Sequence, residues 1–231
     1  MNNKLNLKSS NFPITLNSIK HLIKLIYKNK SPVRIFHNFF LKDIEIKGKT
    51  IDLGSGNHSS YLDHLIDNSE EIFFADKIKK EIKNYYQVDL ETKLDFNNDK
   101  FDTVILFNVL EHIRNYKLLI TEIHRIIKKD GKLEIFVPFM HRYHPDPEDI
   151  FRPTHYYLHS LLSEAGFDVE TKLIGAGPLS VFSEIILKYF KFKILKIIFL
   201  VFFIFLDKII RIFSKDYNTY YNGIHCTCTK N

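Results

Sequence analysis

The 231-residue chain is long enough to form one well-packed α/β domain. Its 45% hydrophobic and 26% charged residues are typical of a globular protein, which excludes extensive disorder. The net charge of +6 permits attraction to phosphates or to an anionic membrane. Because lysine is abundant along the whole chain, we attribute part of this charge to general composition and expect no nucleic-acid partner.

The N-terminal residues show no secretory signal, because Lys20, His21 and Lys24 interrupt the apolar residues of this segment. We therefore expect the protein in the cytoplasm. Cys226 and Cys228 lie two positions apart in the predicted last strand, so their side chains point to the same face. We interpret both as core residues rather than as a disulfide or a metal site.

Two helices are predicted before the sheet begins. Apolar residues recur at helical spacing from Leu16 to Ile26, and Ser31 followed by Pro32 marks the start of a second helix through Phe39. We expect both helices to cover one edge of the sheet. A lid over the substrate is the alternative.

A strand that feeds a nucleotide-binding turn is predicted at residues 50–57, where an apolar run ends in Asp52 and two glycines follow, Gly54 and Gly56. A short helix is expected at residues 61–66, followed by a buried strand that ends in Asp76. Asp76 lies twenty positions after Gly56, the distance at which a βαβ unit places a carboxylate on ribose hydroxyls.

Strands and helices continue to alternate along the chain. Further strands are predicted at 85–88, 103–107, 133–137 and 169–174, with a helix that contains Leu119 and ends at 128–131 and another that Thr154 caps. This alternation predicts a Rossmann-like, doubly wound, mostly parallel seven-stranded sheet with helices on both faces. Ligands are expected at the carboxyl ends of its strands.

A wholly apolar run at residues 197–206 lies between Lys196 and Asp207. As a helix it would be about 15 Å long, half of a hydrocarbon layer of roughly 30 Å, so it should not cross a bilayer unaided. We expect residues 188–215 to make peripheral contact with an anionic membrane through their basic and apolar side chains. Burial in the protein or in a dimer is the alternative; the oligomeric state is left open.

Four segments follow from these patterns. Residues 1–45 form N-terminal helices, 46–178 the cofactor-binding core, 179–216 a hydrophobic and basic helical insertion, and 217–231 the final strand of the core.

The chain resembles the class I S-adenosylmethionine-dependent methyltransferases. The resemblance runs from about Thr50 to Phe167 and rests on the glycine turn, Asp76, Asp89-Leu90, the stretch Asn108 to Ile113 and the Lys129-Asp130-Gly131 step. Where many members of the class have a third glycine, this chain has His58.

The resemblance implies S-adenosylmethionine as the cofactor and assigns roles around it. Gly54, Ser55 and Gly56 would approach the methionine part, and Asp52 would hold its ammonium group directly or through water. Asp76 would bind the ribose, Asp89 and Leu90 the adenine, and Asn108 would lie near the sulfonium.

A looser resemblance, carried by residues 138–154 and 164–167, is to members of the class that serve bacterial surface polysaccharide biosynthesis. It suggests O-methylation of a saccharide or a lipid-linked saccharide. A membrane lipid or quinone is an alternative acceptor, and a membrane-recruited module without turnover is a non-enzymatic alternative. A nicotinamide dehydrogenase is disfavoured, because Asp52 precedes the glycines and Ser59 replaces its third glycine.

A hydroxyl acceptor benefits from a general base, and histidine is the side chain best suited to this role near neutral pH. We select His144, supported by Glu111, His112 and Asp149. His141 and Arg152 are candidate substrate-binding residues, although Arg152 could instead pair with Asp149. The spacing of the acids and histidines matches no strong metal signature, so no metal is expected.

Overall fold

The computed structural model describes residues 8–10, 12–56, 60–175, 177–214 and 219–231. Eight strands form one sheet. In chain order they are β1 Lys8–Ser10, β2 Glu45–Leu53, β3 Ile66–Asp76, β4 Tyr85–Gln87, β5 Phe101–Phe107, β6 Ile127–Pro138, β7 Phe167–Ile174 and β8 Gly223–Lys230.

The strand order is β1-β7-β8-β6-β5-β2-β3-β4. All neighbours run parallel except at β8, which is antiparallel to both β6 and β7. The predicted fold class is therefore confirmed. The three-residue strand β1 adds an eighth member at the edge beside β7, beyond the seven strands that the sequence predicted.

Six α-helices accompany the sheet: α1 Leu16–Tyr27, α2 Pro32–Phe40, α3 Tyr116–Ile126, α4 His155–Glu164, α5 Pro178–Ile186 and α6 Lys193–Phe213. The predicted Thr154 cap is present, since its side chain accepts from the Tyr157 N–H. Ser31 occupies the predicted N-cap position before Pro32 at the start of α2, but its side chain makes no capping hydrogen bond. Thr15 and Ser18 form a capping box at the start of α1.

The helix predicted at residues 61–66 is wrong. Only a 3₁₀ turn forms, Leu62–His64, and Ile66 already belongs to β3, where its N–H donates to the Ile44 carbonyl over 2.9 Å. One turn supplies too few hydrogen bonds to sustain a helix, and pairing with β2 begins at Ile66.

The predicted end of the third helix at residues 128–131 is also wrong. Helix α3 ends at Ile126, and β6 begins at Ile127, which pairs with Phe101. Residues 128–131, whose composition is typical of a helix C-terminus, therefore belong to a strand of the sheet instead. The opening strand likewise begins earlier than predicted, at Glu45.

The core lies on both faces of the sheet. One cluster joins the sheet to α3 and α4 and contains both cysteines, which are fully buried and free, as predicted. The second cluster contains residues of α1, α2 and α6 packed against Ile105, Phe107 and Phe136. The N-terminal helices therefore cover a face of the sheet, reaching its centre, rather than only an edge.

A buried polar chain crosses this second layer. The Glu134 carboxylate lies 2.8 Å from His225 Nε2 and accepts from the Thr227 hydroxyl over 2.7 Å, while His225 Nδ1 lies 3.1 Å from His37 Nε2. Burial and then the neighbouring His225 hold the pKa of His37 well below its ordinary value. The chain therefore links α2 to strands β6 and β8 through neutral and charged groups that water cannot reach.

Helix α6 has one buried side and one exposed side. Leu200, Ile204 and Asp207 are buried at i, i+4 and i+7, and the Asp207 carboxylate accepts from the N–H groups of Leu179 and Ser180 at the start of α5. The opposite side exposes an apolar stripe that includes Ile198, Phe202, Phe205, Ile209 and Ile212. Within the described part of the chain, no helix combines the length and the apolar character that membrane crossing requires.

Glu134→Ala should lower the free energy of unfolding by about 3 kcal/mol, because it leaves the buried His225 and the half-buried Thr227 without their acceptor. Urea unfolding monitored by circular dichroism measures this change. Glu170→Ala, which removes a carboxylate at the surface of β7, is the matched control and should change the stability by less than about 1 kcal/mol. Equal losses in the two variants would contradict the role of the buried chain.

Candidate active site

A cavity of about 810 Å³ opens at the carboxyl ends of β2, β3 and β5. Six of the predicted cofactor residues line it: Gly54, Gly56, Asp76, Asp89, Leu90 and Asn108. The sequence reasoning that placed these residues together therefore agrees with the geometry. These residues come together because neighbouring parallel strands have their carboxyl ends at the same edge of the sheet.

The glycine turn brings backbone close to the cavity. The N–H groups of Gly54 and Ser55 donate to the Ala75 carbonyl over 2.7 and 3.2 Å. Gly54 has φ +74°, and a Cβ there would lie 2.4 Å from Val109 Cγ2, so only glycine fits. The sequence comparison with a third glycine depended on His58 and Ser59. Residues 57–59 lie outside the described residues.

Asp76 connects the glycine turn to the end of β3. Its Oδ2 accepts from the Gly56 N–H over 2.8 Å and its Oδ1 from the Ile78 N–H over 3.3 Å. This carboxylate keeps lone pairs directed at the cavity that it lines, which suits hydrogen bonds from ribose hydroxyls.

Asp52 and Ser55 do not line this cavity. Asp52 is fully buried, and both of its carboxylate oxygens accept from the Tyr61 hydroxyl, over 2.7 and 2.8 Å. Direct contact between Asp52 and a cofactor ammonium is not favoured by this arrangement. A contact through water or through Tyr61 stays a prediction.

The wall opposite the glycine turn carries Asp89 and the buried Leu90. The Glu91 N–H donates to Asp89 Oδ1 over 3.0 Å and Lys77 Nζ lies 3.1 Å from Oδ2. These two contacts lower the pKa of Asp89, so its carboxylate is charged at neutral pH. A carboxylate beside an apolar side chain fits the amino edge and the flat face of an adenine.

Asn108 directly follows β5 and lies in the left-handed region, with φ +57°, and its N–H donates to the Phe136 carbonyl over 2.9 Å. Asparagine tolerates this conformation better than most residues. The turn directs the chain after β5 along the cavity wall, where Val109 and His112 follow.

A buried carboxylate and two imidazoles converge beside the cavity. His112 Nε2 and His144 Nε2 each lie 3.7 Å from Glu111 Oε1, and Glu111 is fully buried. Among the described residues neither Glu111 oxygen has a hydrogen-bond donor. One ligand atom from each of the three groups lies within 4.8 Å of the others, so the cluster could share a proton or hold a cation. The absence of a metal stays a prediction.

His112 lines the cavity, whereas His144 does not line it and packs against the His112 ring. The two rings meet edge to face, with centroids 5.1 Å apart, and His112 Nδ1 contacts the Glu148 carbonyl. The Glu111 carboxylate raises the pKa of His144 above its ordinary value, while burial and Arg152 oppose this shift. The Glu111 carboxylate thus favours the protonated form of the His144 imidazole.

Arg152 is paired with Asp149, the second of the two possibilities that the sequence allowed. Its guanidinium donates to both Asp149 oxygens and lies 3.2 Å from His144 Nδ1. The Asp149 carboxylate also accepts from the His144 N–H over 3.0 Å. Both residues therefore hold the His144 loop in place. The Arg152 guanidinium is already paired with Asp149, so it is not free for the substrate anion that the sequence predicted it to bind.

His141 lies beyond His144, and the two rings meet with centroids 4.8 Å apart. Its Nδ1 lies 2.8 Å from Glu184 Oε1, while Glu184 Oε2 accepts from the Val33 N–H over 2.9 Å. The sequence reasoning missed Glu184 because no motif surrounds it and its partners are distant in the chain. It also missed Tyr61 and the cavity rim formed by Glu91, Arg114 and Glu148.

The comparisons with known proteins identify the class. The model of a methyltransferase-domain family matches residues 27–172, more than half of the chain. The chain has the fold of the class I S-adenosylmethionine-dependent methyltransferases, and it belongs to this methyltransferase-domain family.

Solved structures agree on the fold. A chain from the complex of the Haloferax volcanii Trm112 activator with a methyltransferase is 15% identical, with a TM-score of 0.57 and coverage of 92% of this chain and 95% of that one. An S-adenosylmethionine-dependent methyltransferase from Mesorhizobium loti is 10% identical, with a TM-score of 0.53 and coverage of 83% and 95%.

Haemonchus contortus phosphoethanolamine N-methyltransferase 2, solved with S-adenosylmethionine, is 15% identical, with a TM-score of 0.51 and coverage of 94% and 57%. At these identities the likeness concerns the fold. A search of curated protein sequences finds no significant match.

Asp76→Ala should weaken S-adenosylmethionine binding at least tenfold, because it removes the ribose acceptor and frees the Gly56 N–H. Isothermal titration calorimetry measures the dissociation constant. Asp63→Ala, in the 3₁₀ turn and outside the cavity lining, is the control and should bind as the unmodified protein does. Unchanged affinity in Asp76→Ala would show that this carboxylate does not contact the cofactor.

Proposed function

We propose that the protein transfers a methyl group from S-adenosylmethionine to a hydroxyl of a saccharide or a lipid-linked saccharide. The observation that carries this proposal is the Glu111–His144 pair beside the cofactor cavity, an imidazole whose pKa a buried carboxylate raises. S-adenosylmethionine is the methyl donor, and when bound it supplies an activated methyl group on a sulfonium. The protein itself supplies alignment, a dry pocket and a proton acceptor.

The acceptor hydroxyl would lie against His112 and His144, on the side of the cavity formed by residues 146–148. His144 takes the hydroxyl proton, and the Glu111 carboxylate stabilises the imidazolium that results. Asp149 and Arg152 keep the imidazole in position through the loop backbone and Nδ1. His112 closes the wall and excludes water from the reacting atoms.

The proposed peripheral membrane contact of residues 188–215 would favour a lipid-linked acceptor over a free saccharide. The exposed stripe of α6 is apolar, and Lys193, Lys196, Lys208 and Arg211 lie along the same helix. Such a helix can lie at the surface of an anionic membrane, with the apolar residues below the headgroups and the basic side chains among them. A membrane lipid or quinone is the second candidate acceptor, since the same face would reach it.

Incubation with methyl-labelled S-adenosylmethionine and separated cell fractions tests the proposed acceptor. We expect the label in the lipid-linked saccharide fraction, and we expect a chelator to leave the labelling unchanged. His144→Ala should lower the labelling about a hundredfold or more, the usual contribution of a general base. Label in extracted membrane lipids or quinones would favour the second acceptor, and cofactor binding without any labelled product would favour a module without turnover.

The pH profile of kcat/KM tests the Glu111–His144 pair. His144 must be neutral to accept a proton, so activity should rise with pH through an apparent pKa above that of a free histidine. Glu111→Gln removes the carboxylate that raises this pKa, so the acidic limb should move to lower pH. Glu164→Gln, which removes an exposed carboxylate of α4, should leave the limb in place. An unmoved limb in Glu111→Gln would rule out His144 as the base.

A further inference from the structure

We propose that a second cavity beside the His141–His144 loop binds the phosphate group of a lipid-linked acceptor, a proposal that rests on the proposed function. This phosphate cavity has a volume of about 260 Å³. It lies where the end of α1, the start of α2, the segment after α5 and the first half of α6 meet Arg142. Its cationic lining residues come from four separate parts of the chain and are Lys30, Arg142, Lys188 and Lys196.

The charge of this lining is not balanced by the protein. Glu184 is the carboxylate that lines the cavity, and both of its oxygens already have partners, His141 and the Val33 N–H. Within the described residues, none of the four cationic side chains forms an ion pair with a carboxylate. Partial burial, followed by Arg34 and Lys28, lowers the pKa of Lys30. Four cations around one carboxylate that already has partners favour a multivalent anion, and a phosphate or pyrophosphate supplies the charge and the acceptors.

The phosphate cavity is connected to the proposed base by direct contacts. Glu184 holds His141, and the His141 ring packs against His144. Arg142, which lines the cavity, lies between these two histidines in the chain. An anion held here would therefore keep the rest of the acceptor molecule near the loop that carries His144.

An apolar groove continues from the phosphate cavity along α6. The groove is lined only by Ile14, Ile197, Ile198, Val201, Phe202 and Phe205. Lys196 and Leu200 line the phosphate cavity, and their sequence neighbours Ile197 and Val201 line the groove, so the two sites adjoin on one helix. A cationic cavity next to an exposed apolar groove matches a phosphate that is esterified to a hydrocarbon chain. A soluble sugar phosphate or nucleotide would leave the groove without an occupant.

Two matched pairs of variants test the cavity and the groove separately. Lys196→Gln removes a charge from the cavity, and Lys208→Gln removes one from the exposed end of the same helix. Phe205→Ser alters the groove, and Phe213→Ser alters an apolar side chain that is 84% exposed at the end of α6, outside the groove. Circular dichroism first establishes that each variant keeps the helical content of the unmodified protein.

Calorimetry with inorganic pyrophosphate reports on the cavity alone. We expect about tenfold weaker binding for Lys196→Gln and unchanged binding for Lys208→Gln, Phe205→Ser and Phe213→Ser. Co-sedimentation with phosphatidylcholine vesicles that contain phosphatidic acid reports on the lipid source. Here both Lys196→Gln and Phe205→Ser should reduce binding severalfold more than their controls, and vesicles of phosphatidylcholine alone should bind weakly.

The outcomes separate this proposal from the proposed function. No pyrophosphate binding, or equal effects of Lys196→Gln and Lys208→Gln, would overturn the phosphate site. Vesicle binding that Phe205→Ser leaves unchanged would overturn the lipid source and favour a soluble phosphate. Calorimetry with S-adenosylmethionine and the labelling assay test the proposed function independently, so loss of methyl transfer with intact pyrophosphate binding would count only against that function.

Discussion

The parallel pairing of β2 with β3 on one side and β5 on the other is the constraint on which the rest of the site depends. Thr50 to Asp52 are in register with both neighbours, so the three strands end at the same edge of the sheet. Gly54 and Asn108 directly follow β2 and β5, Asp76 is the last residue of β3, and all three line one cavity. The hydrogen bond from the Gly56 N–H to Asp76 then fixes the glycine turn to the neighbouring strand. A shift in this register would separate the cofactor residues from one another.

The acceptor side is assembled on this frame by buried charge. Glu111 lies in the turn after β5 and contacts His144 of the loop after β6. Asp149 and Arg152 stabilise that loop, because Asp149 accepts from the His144 N–H and is paired with Arg152. A carboxylate in a dry site interacts strongly with nearby imidazoles, which is why it can set the protonation of His144. The same principle operates further out, where Glu184 joins His141 to the start of α2. Carboxylates thus connect the loop that carries His141 and His144 to the helices that line the second cavity.

Helix α6 has different side chains on its two sides. Asp207 binds the N-terminus of α5 and lies on the buried side together with Leu200 and Ile204. The remaining side then exposes the apolar stripe beside the basic residues. Sequence hydropathy predicted a membrane-seeking segment, which stays a prediction, and the structure shows that its exposed apolar side chains lie on one side of α6.

The sequence by itself determined the fold class, most strands and six residues that line the cavity at the strand ends, because hydrophobic periodicity and the spacing from Gly56 to Asp76 are local signals. It misassigned residues 61–66 and 128–131, where sheet pairing outweighs local helical character. Only the tertiary structure decided that Arg152 serves Asp149, that Asp52 binds Tyr61 and that Glu184 supports His141. These contacts join residues whose spacing in the chain follows no period. Their partners are set by burial, since a charged group removed from water takes whichever partner the packed fold brings to it.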